Sequence, residues 1–322
     1  MIDAVIGIDI GATTTTFGII DVKAQILKEG VLETRAKEDV TRFLPRIYRE
    51  LAQMEKALNG QTEIKGIGIG APNADFYKGI IAKPANLSWG EETPIVEIFQ
   101  RKYQVPVFLT NDANAAAVGE MQFGVAQGMS NFMVITLGSG LGSGIVVDGR
   151  LVHGHTGYAG EMGHIIVKEG GRQSPFGRRG GLESYVSVTG LRRTVSKLLA
   201  DSQKFSALRD IAYNELTGEM ISDAAIQGDR IALEAFEYTG MFLGRALANA
   251  ALFTSPEAFI LFGGLANSKD LIFQPTLKHM EENLLPTFKG TIKLLLSGLQ
   301  DRNAAVLGTG ALAWHQLQES QK

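Results

Sequence analysis

Apolar residues along this chain recur with two periods that alternate from one end to the other. Residues 4–10 form a short apolar run rich in β-branched side chains. Gly11-Ala12-Thr13-Thr14-Thr15-Thr16-Phe17-Gly18-Ile19-Ile20-Asp21 follows at once, which predicts strand, tight turn and strand. Between 37 and 58 the apolar residues Val40, Phe43, Leu44, Ile47, Leu51, Met54 and Leu58 recur at helical spacing and predict an amphipathic helix. Residues 64–70 alternate with glycine as a buried strand, and 106–109 predict another strand before a helix over 113–123. The pattern is that of an α/β protein.

A second series opens with Phe132-Met133-Val134-Ile135-Thr136-Leu137. It runs through Gly138-Ser139-Gly140-Leu141-Gly142-Ser143-Gly144 into Ile145-Val146-Val147-Asp148. Both stretches follow one plan: apolar strand, small-residue turn, apolar strand, Asp. The turns differ by one residue, and Thr136 stands where Asp9 stands. We read a faint internal duplication in which each half offers a hairpin turn to a common ligand. Further on, the pattern predicts a helix over 229–253, a strand over 258–262 ending in Gly263-Gly264, a helix over 271–284, a strand over 292–296 and a helix over 303–318. A Gly/Arg-rich loop without periodicity occupies 169–181. The expected domains are 1–115, completed by 303–322, and 116–302.

Composition narrows the functional classes. The chain has 322 residues, 20% of them charged, with a formal net charge of −3. That length suits two domains, and the acidic balance lacks the basic field of a nucleic-acid binder. A small-molecule ligand is expected, with no nucleic-acid partner. There is no cysteine, which excludes disulfides and any Cys-ligated metal. With neither a basic leader nor an apolar run of about 18 residues, no membrane association is expected and the location is read as cytoplasmic.

Turns built from Gly, Ala, Ser and Thr let backbone N–H groups point at an anion unobstructed, and phosphate is the obvious guest. Taken alone, 138–144 reads first as a flexible hairpin. The P-loop string is missing, and the Gly run leads into a strand instead of the helix of a dinucleotide site. Asp9 precedes the first turn, where a carboxylate either holds a Mg²⁺ water beside phosphates or caps the turn. Asn111-Asp112 lies between a strand and a helix, at the strand end where α/β proteins place ligands. Asp112 is there either a base or an N-cap.

Three motifs together have a counterpart. Asp9-Ile10-Gly11-Ala12-Thr13-x4-Gly18 resembles the first phosphate motif of the actin-like ATPase superfamily, Leu137-Gly138-Ser139-Gly140-Leu141-Gly142 the second, and Gly263-Gly264 the adenosine motif. Within that superfamily the chain resembles, over nearly its whole length, the ROK family (repressors, open reading frames and kinases). The resemblance implies two actin-like (ribonuclease H-like) α/β domains with a cleft between them. It implies an ATP-dependent sugar kinase of carbohydrate metabolism and glycolysis, moving phosphate from Mg·ATP to a hexose, with the 6-OH of glucose first in line. N-acetylglucosamine, mannose, N-acetylmannosamine and fructose stand behind glucose, and a homodimer or homotetramer is expected.

Residue by residue, the resemblance makes Gly11, Thr13, Thr14, Gly138, Ser139, Gly140, Gly263 and Gly264 nucleotide contacts, and Asp9 the Mg²⁺ residue, acting through water. Asn111-Asp112-Ala113-Asn114-Ala115-Ala116-Ala117 resembles the catalytic segment, making Asp112 the base and Asn111 a sugar contact. Glu161-Met162-Gly163-His164 matches E-x-G-H, which implies that Glu161 and His164 meet hydroxyls near the anomeric carbon. Gly70, in Gly70-Ala71-Pro72-Asn73, and Asn86, in Pro84-Ala85-Asn86-Leu87-Ser88-Trp89, look like sugar-contact loops.

One family feature is missing. The pattern C-x-C-G-x-x-G-C-x-E supplies three zinc ligands beside the His, whereas this chain reads Ser174-Pro175-Phe176-Gly177-Arg178-Arg179-Gly180-Gly181-Leu182-Glu183. No structural zinc is expected, His164 is released from ligation, and Glu183 is still expected to reach a sugar hydroxyl. Phe176 packing, or pairing of Arg178 and Arg179 with acids, is expected to order the loop, unless those arginines form a solvated turn. Among other classes, a sugar-responsive repressor would carry a helix-turn-helix ahead of the first phosphate motif, which starts here at Asp9. A cytoskeletal or chaperone ATPase would have no use for Glu161 and His164. A sugar sensor without turnover would not need both Asp9 and Asp112.

Overall fold

The computed structural model describes residues 1–84, 87–174, 177–299 and 303–320. Chain contacts divide it into two units, Met1–Gly128 with Leu151–Ala159 and Gly298–Lys322, and Met129–Arg150 with Gly160–Ser297. The stretch Leu151–Ala159, placed by sequence in the second domain, thus falls in the first unit. There the His153 ring stacks on Phe76 at 3.7 Å and Tyr77 Oη donates to the Gly154 carbonyl at 2.8 Å.

The first unit begins with a meander, β1 (Ile2–Ile10), β2 (Thr14–Asp21) and β3 (Ile26–Glu33). Helix α1 (Val40–Ala57) follows, its start set by Asp39, whose carboxylate accepts from the Thr41 N–H at 2.8 Å. Then come β4 (Thr62–Gly70), the small sheet β5 (Ala74–Asp75), β6 (Ile80–Ala82) and β7 (Glu92–Thr93), helix α2 (Ile95–Tyr103), β8 (Val107–Thr110) and α3 (Asp112–Phe123). The main sheet runs β3-β2-β1-β4-β8, antiparallel across the meander and parallel from β1 through β4 to β8. β1 reads as a continuous apolar run because both its faces are covered. Ala4, Ile6, Ile8 and Ile10 join Phe43, Ile47, Leu51 and Phe99 in one core, while Val5 joins Val306, Leu307, Ala313 and Trp314 in another.

The second unit repeats this design. Its strands are β9 (Phe132–Leu137), β10 (Leu141–Val147) and β11 (Arg150–Leu151), followed by helices α4 (Val188–Asp201), α5 (Gly218–Ile226) and α6 (Arg230–Thr254). β12 (Ala258–Phe262), α7 (Asp270–Asn283) and β13 (Lys293–Leu296) complete it. The sheet order is β11-β10-β9-β12-β13, with β9 antiparallel to β10, parallel to β12, and β12 parallel to β13. Each sheet is thus a hairpin extended by two parallel strands on the far side of its first strand, the structural form of the repeat seen in sequence. Helix α8 (Ala304–Glu319) returns to the first unit and packs on β1, β4 and α3. No helix among the described residues is long and apolar enough to cross a membrane.

Candidate functional site

Three parallel strands of the first unit end side by side, in the register Asp9 to Gly70 and Gly70 to Thr110. Their carboxyl ends present Asp9, Gly70, Asn111 and Asp112 together. Gly70 is fixed by close approach: a Cβ there would lie 2.8 Å from Asp9 Oδ1. The cap of α3 falls to Asn111, whose Oδ1 accepts from the Asn114 N–H at 2.8 Å. Asp112 is therefore the first helical residue and not the cap, with one carboxylate oxygen held by the Ala113 N–H at 2.8 Å.

Asp112 keeps an exposed surface at the N-terminal end of α3. Protein crowded around it nevertheless lifts its carboxyl above the usual carboxylate range, since desolvation outweighs the N–H groups of Ala113 and its own backbone. Asp9 is pushed up to about 7, first by burial and then by the negative charge of Asp112. Among the described residues no cation is paired with either carboxylate. Thr16 lies directly across the ladder from Asp9, so the two side chains share a face. Its hydroxyl is buried without a partner, and nothing in the sequence pattern singled it out.

The turn from β1 to β2 closes with the Gly11 N–H on the Thr14 carbonyl at 3.0 Å, and the Thr13 carbonyl takes the Thr34 N–H at 2.9 Å. The side chains of Thr13 and Thr14 are exposed. Among the described residues the N–H groups of Ala12 and Thr13 have no protein acceptor.

In the second unit Gly138, Ser139 and Gly140 link β9 to β10. The Gly138 carbonyl takes the Val188 N–H at 2.9 Å, which sets the turn against the start of α4. Ser139 is exposed, and among the described residues the N–H groups of Ser139 and Gly140 have no protein acceptor. Beside them Gly263 ends β12 with φ +100°, a conformation that favours glycine. Here the Leu265 N–H donates to the Leu137 carbonyl at 3.0 Å. The second phosphate motif and the Gly263-Gly264 motif therefore sit at the ends of neighbouring parallel strands. Next to Gly264 opens a cavity of about 880 Å³ whose wall includes Val188, Glu219, Ser222, Leu265 and Ser268. Apart from Gly264, sequence reasoning assigned none of its walls to a site; Glu219 and Ser222 come from α5 (Gly218–Ile226), which was not recognised.

Glu161, His164 and Glu183 converge on the same hairpin. Glu161 leads into a 3₁₀ turn, Met162–His164, and the two side chains lie 3.6 Å apart, His164 Nε2 to Glu161 Oε2. Gly163 packs so closely on β10 that a Cβ would lie 2.5 Å from the Leu141 carbonyl oxygen. From the other side Glu183 Oε2 accepts the Leu141 N–H at 2.9 Å. A Cβ at Gly140 would lie 2.5 Å from that same oxygen.

Among the described residues no cluster of three or more His, Asp or Glu could hold a metal ion. Ser174, Gly181 and His164, at zinc-ligand positions of the resembled pattern, supply one imidazole and no thiolate, so the donor set does not fit zinc. Arg178 and Arg179 are exposed and pair with no acid among the described residues, which leaves the solvated turn. Phe176, like the sugar-contact candidate Asn86, lies outside the described residues. The loop is closed by isolated bridges, Ile166 to Gly181 and Gln173 to Arg179. Its main brace is a residue the sequence did not single out, Arg172.

Comparison with known proteins identifies the family. The glucokinase of Halalkalibacterium halodurans is 31% identical over 324 residues, covering 98% of this chain and 97% of that protein. The solved ROK family glucokinase of Streptomyces griseus, in complex with glucose and AMPPNP, matches with a TM-score of 0.81 at 30% identity, over 97% of this chain and 99% of that one. A solved ROK family transcriptional regulator, homologous to the E. coli MLC protein, matches with a TM-score of 0.86 at 25% identity, over 96% of this chain and 77% of that one. The profile described as "ROK family" matches residues 5–316. With two repeated sheets, two glycine-bearing turns at strand ends and a profile that spans nearly all of it, the chain belongs to the ROK family.

Proposed function

We infer that this protein is an ATP-dependent glucose kinase. Full-length similarity to glucokinases supports the reading, one of them solved with glucose and an ATP analogue. On the side of the chemistry, the observation that carries it is the carboxylate of Asp112, raised in pKa by desolvation at the head of α3 beside Asp9.

We assign Asp112 as the base. A sugar hydroxyl, the 6-OH in glucose, forms its bond to the γ-phosphorus as the bond from that phosphorus to the β–γ bridging oxygen breaks. ADP leaves, and the hydroxyl proton passes to Asp112. In a loose transition state proton loss comes late, so placing the carboxylate matters more than its basicity. The raised pKa then helps it to keep the proton. Glu161, His164 and Glu183 hold sugar hydroxyls, with Asn111, Gly70 and Asn86 as further contacts. The free N–H groups of the turns at Gly11–Thr14 and Gly138–Gly140 receive phosphates, and the cavity beside Gly264 takes the nucleoside.

Mg²⁺ suits the first turn. Asp9 and the orphaned Thr16 hydroxyl are hard oxygen groups on one face, and a divalent cation would offset the burial and the Asp112 charge that raise the Asp9 pKa. Asp9 would hold it through water, and the ion would supply charge neutralisation at the phosphates. We place the activity in the cytoplasm, as a step of carbohydrate metabolism and glycolysis, and expect a homodimer or homotetramer.

An ADP-release assay over a panel of hexoses tests the reading. Glucose is expected to give the highest kcat/KM, ahead of N-acetylglucosamine, mannose, N-acetylmannosamine and fructose. Release no faster with any sugar than without one would favour the alternative, a sugar-sensing regulator.

A further inference from the structure

The segment from Leu182 to Gly190 has to stay in register for Glu183 to serve two partners. Its side chain holds the Leu141 N–H at the end of the phosphate turn, and its backbone carbonyl takes the Ser187 hydroxyl at 2.8 Å. In the family pattern a metal knots the preceding loop. Here the donor set for that metal is missing, yet the loop is tied down.

The tie is a single guanidinium. Arg172 Nη1 donates to the carbonyls of Ser184 at 3.0 Å and Gly190 at 2.9 Å, and Nη2 donates to Thr194 Oγ1 at 3.0 Å. The Arg172 N–H donates to Tyr185 Oη at 2.8 Å, and its Cζ lies 4.7 Å from the centre of that ring. Tyr185 is anchored in the core, 2% exposed, with its ring stacked on Phe242 at 4.4 Å. One side chain thus grips the residue after Glu183 and the first turns of α4, while its own backbone grips the next residue along. A tetrahedral metal gathers several ligands at a point. A planar guanidinium reaches out to several acceptors from a point, with the same effect of cross-linking segments distant in sequence.

We propose that Arg172 is a positioning residue for Glu183, replacing the metal brace of the loop with a hydrogen-bonded and cation–π brace on Ser184, Tyr185 and α4. The proposal rests on the glucose-kinase reading for the ligand of Glu183. Arg172→Ala takes the shared donor from the Ser184 and Gly190 carbonyls together, so Glu183 loses its place relative to both the sugar and the Leu141 N–H. Lysine carries the charge but lacks the fork, and it does not restore the brace.

The test measures glucose affinity by calorimetry, and KM for glucose and ATP together with kcat, in wild type, Arg172→Ala, Arg172→Lys and the exposed-loop control Arg179→Ala. Arg172→Ala is expected to weaken glucose binding about tenfold or more, since small misplacements of a positioning group are costly. KM for glucose should rise more than kcat falls, Arg172→Lys should match the alanine variant, and Arg179→Ala should match wild type. Added methylguanidine should recover part of the glucose affinity of Arg172→Ala and leave wild type unchanged. Glucose affinity within twofold of wild type in Arg172→Ala overturns the proposal, as does a loss shared equally by kcat and both KM values with no methylguanidine response. If Arg172→Ala does not fold, Tyr185→Phe decides: it keeps the stacked ring and removes only the acceptor of the Arg172 N–H. It should raise KM for glucose about threefold at constant kcat, and an unchanged KM overturns the proposal. A wild type that binds glucose without turnover would sink the kinase reading and leave the affinity comparison to judge Arg172; a wild type that binds no hexose overturns both.

Discussion

Glu183 Oε2 accepts the Leu141 N–H at 2.9 Å, so a residue expected to hold sugar also holds the strand that leaves the Gly138–Gly140 turn. Glu183→Ala is expected to raise KM for glucose and for ATP together, each by about tenfold, because an unpaired buried N–H and a displaced turn add to the lost sugar contact. Glu183→Gln keeps an oxygen for the Leu141 N–H, so its ATP KM should stay near that of wild type while its glucose KM rises. Steady-state kinetics on the pair checks this; equal effects on ATP KM in both variants would separate the turn from Glu183.

Asp112→Asn preserves the shape at the head of α3 and removes the base. A fall in kcat of about 10²–10⁴-fold is expected, with glucose affinity little changed. Rapid-quench measurement of the chemical step, alongside calorimetric glucose binding, reads both. Turnover close to that of wild type would exclude Asp112 from proton transfer.

Asp9 links activity to stability through pH. Its carboxyl holds a proton up to about 7 in the folded protein against a usual value of 3.8, so between those values the unfolded chain binds fewer protons. Stability from this residue therefore falls as pH rises from about 4 to 7, at a cost on the order of a few kcal/mol above 7. Asp9→Asn should melt higher than wild type at pH 8, converge with it near pH 4, and lose kinase activity. Thermal melts without nucleotide or divalent ions check the sign, and the same Tm difference at both pH values would contradict it.

Metal removal separates two ions. Incubation with a zinc-selective chelator should leave Tm and Mg-supported activity unchanged, since no thiolate is available to bind zinc. Elemental analysis showing one zinc per chain would refute this, whereas omission of Mg²⁺ is expected to abolish turnover.

The alternation of strand and helix, both hairpin turns and the strand 258–262 were readable in sequence because period and turn chemistry coincide there. β12 forms over Ala258–Phe262, the stretch the pattern gave. Helix α5 was not readable: it spans only nine residues, with three of them buried. The small sheet β5–β7 has strands of two or three residues, too short to show a period. At the site, Asp9, Asp112 and Glu183 stood out through their motifs. Arg172 did not, because its role depends on acceptors at Ser184, Gly190 and Thr194 that only folding brings within reach. Helix α3 starts one residue before the 113–123 that its pattern predicts, for a local reason. Asn and Asp both cap well, and only the extended backbone of Asn111, at φ −81° and ψ 170°, decides between them.

Because α8 supplies Val306, Leu307, Ala313 and Trp314 to a core shared with Val5 and Ile20, the unit that leaves the ribosome first is the one that closes last. Until α8 emerges, β1 and β2 present bare apolar side chains on that face, while everything the second unit requires has already been synthesised. Order of synthesis and order of completion are thereby reversed, and in the interval the nascent first sheet exposes apolar surface of the kind that chaperones cover.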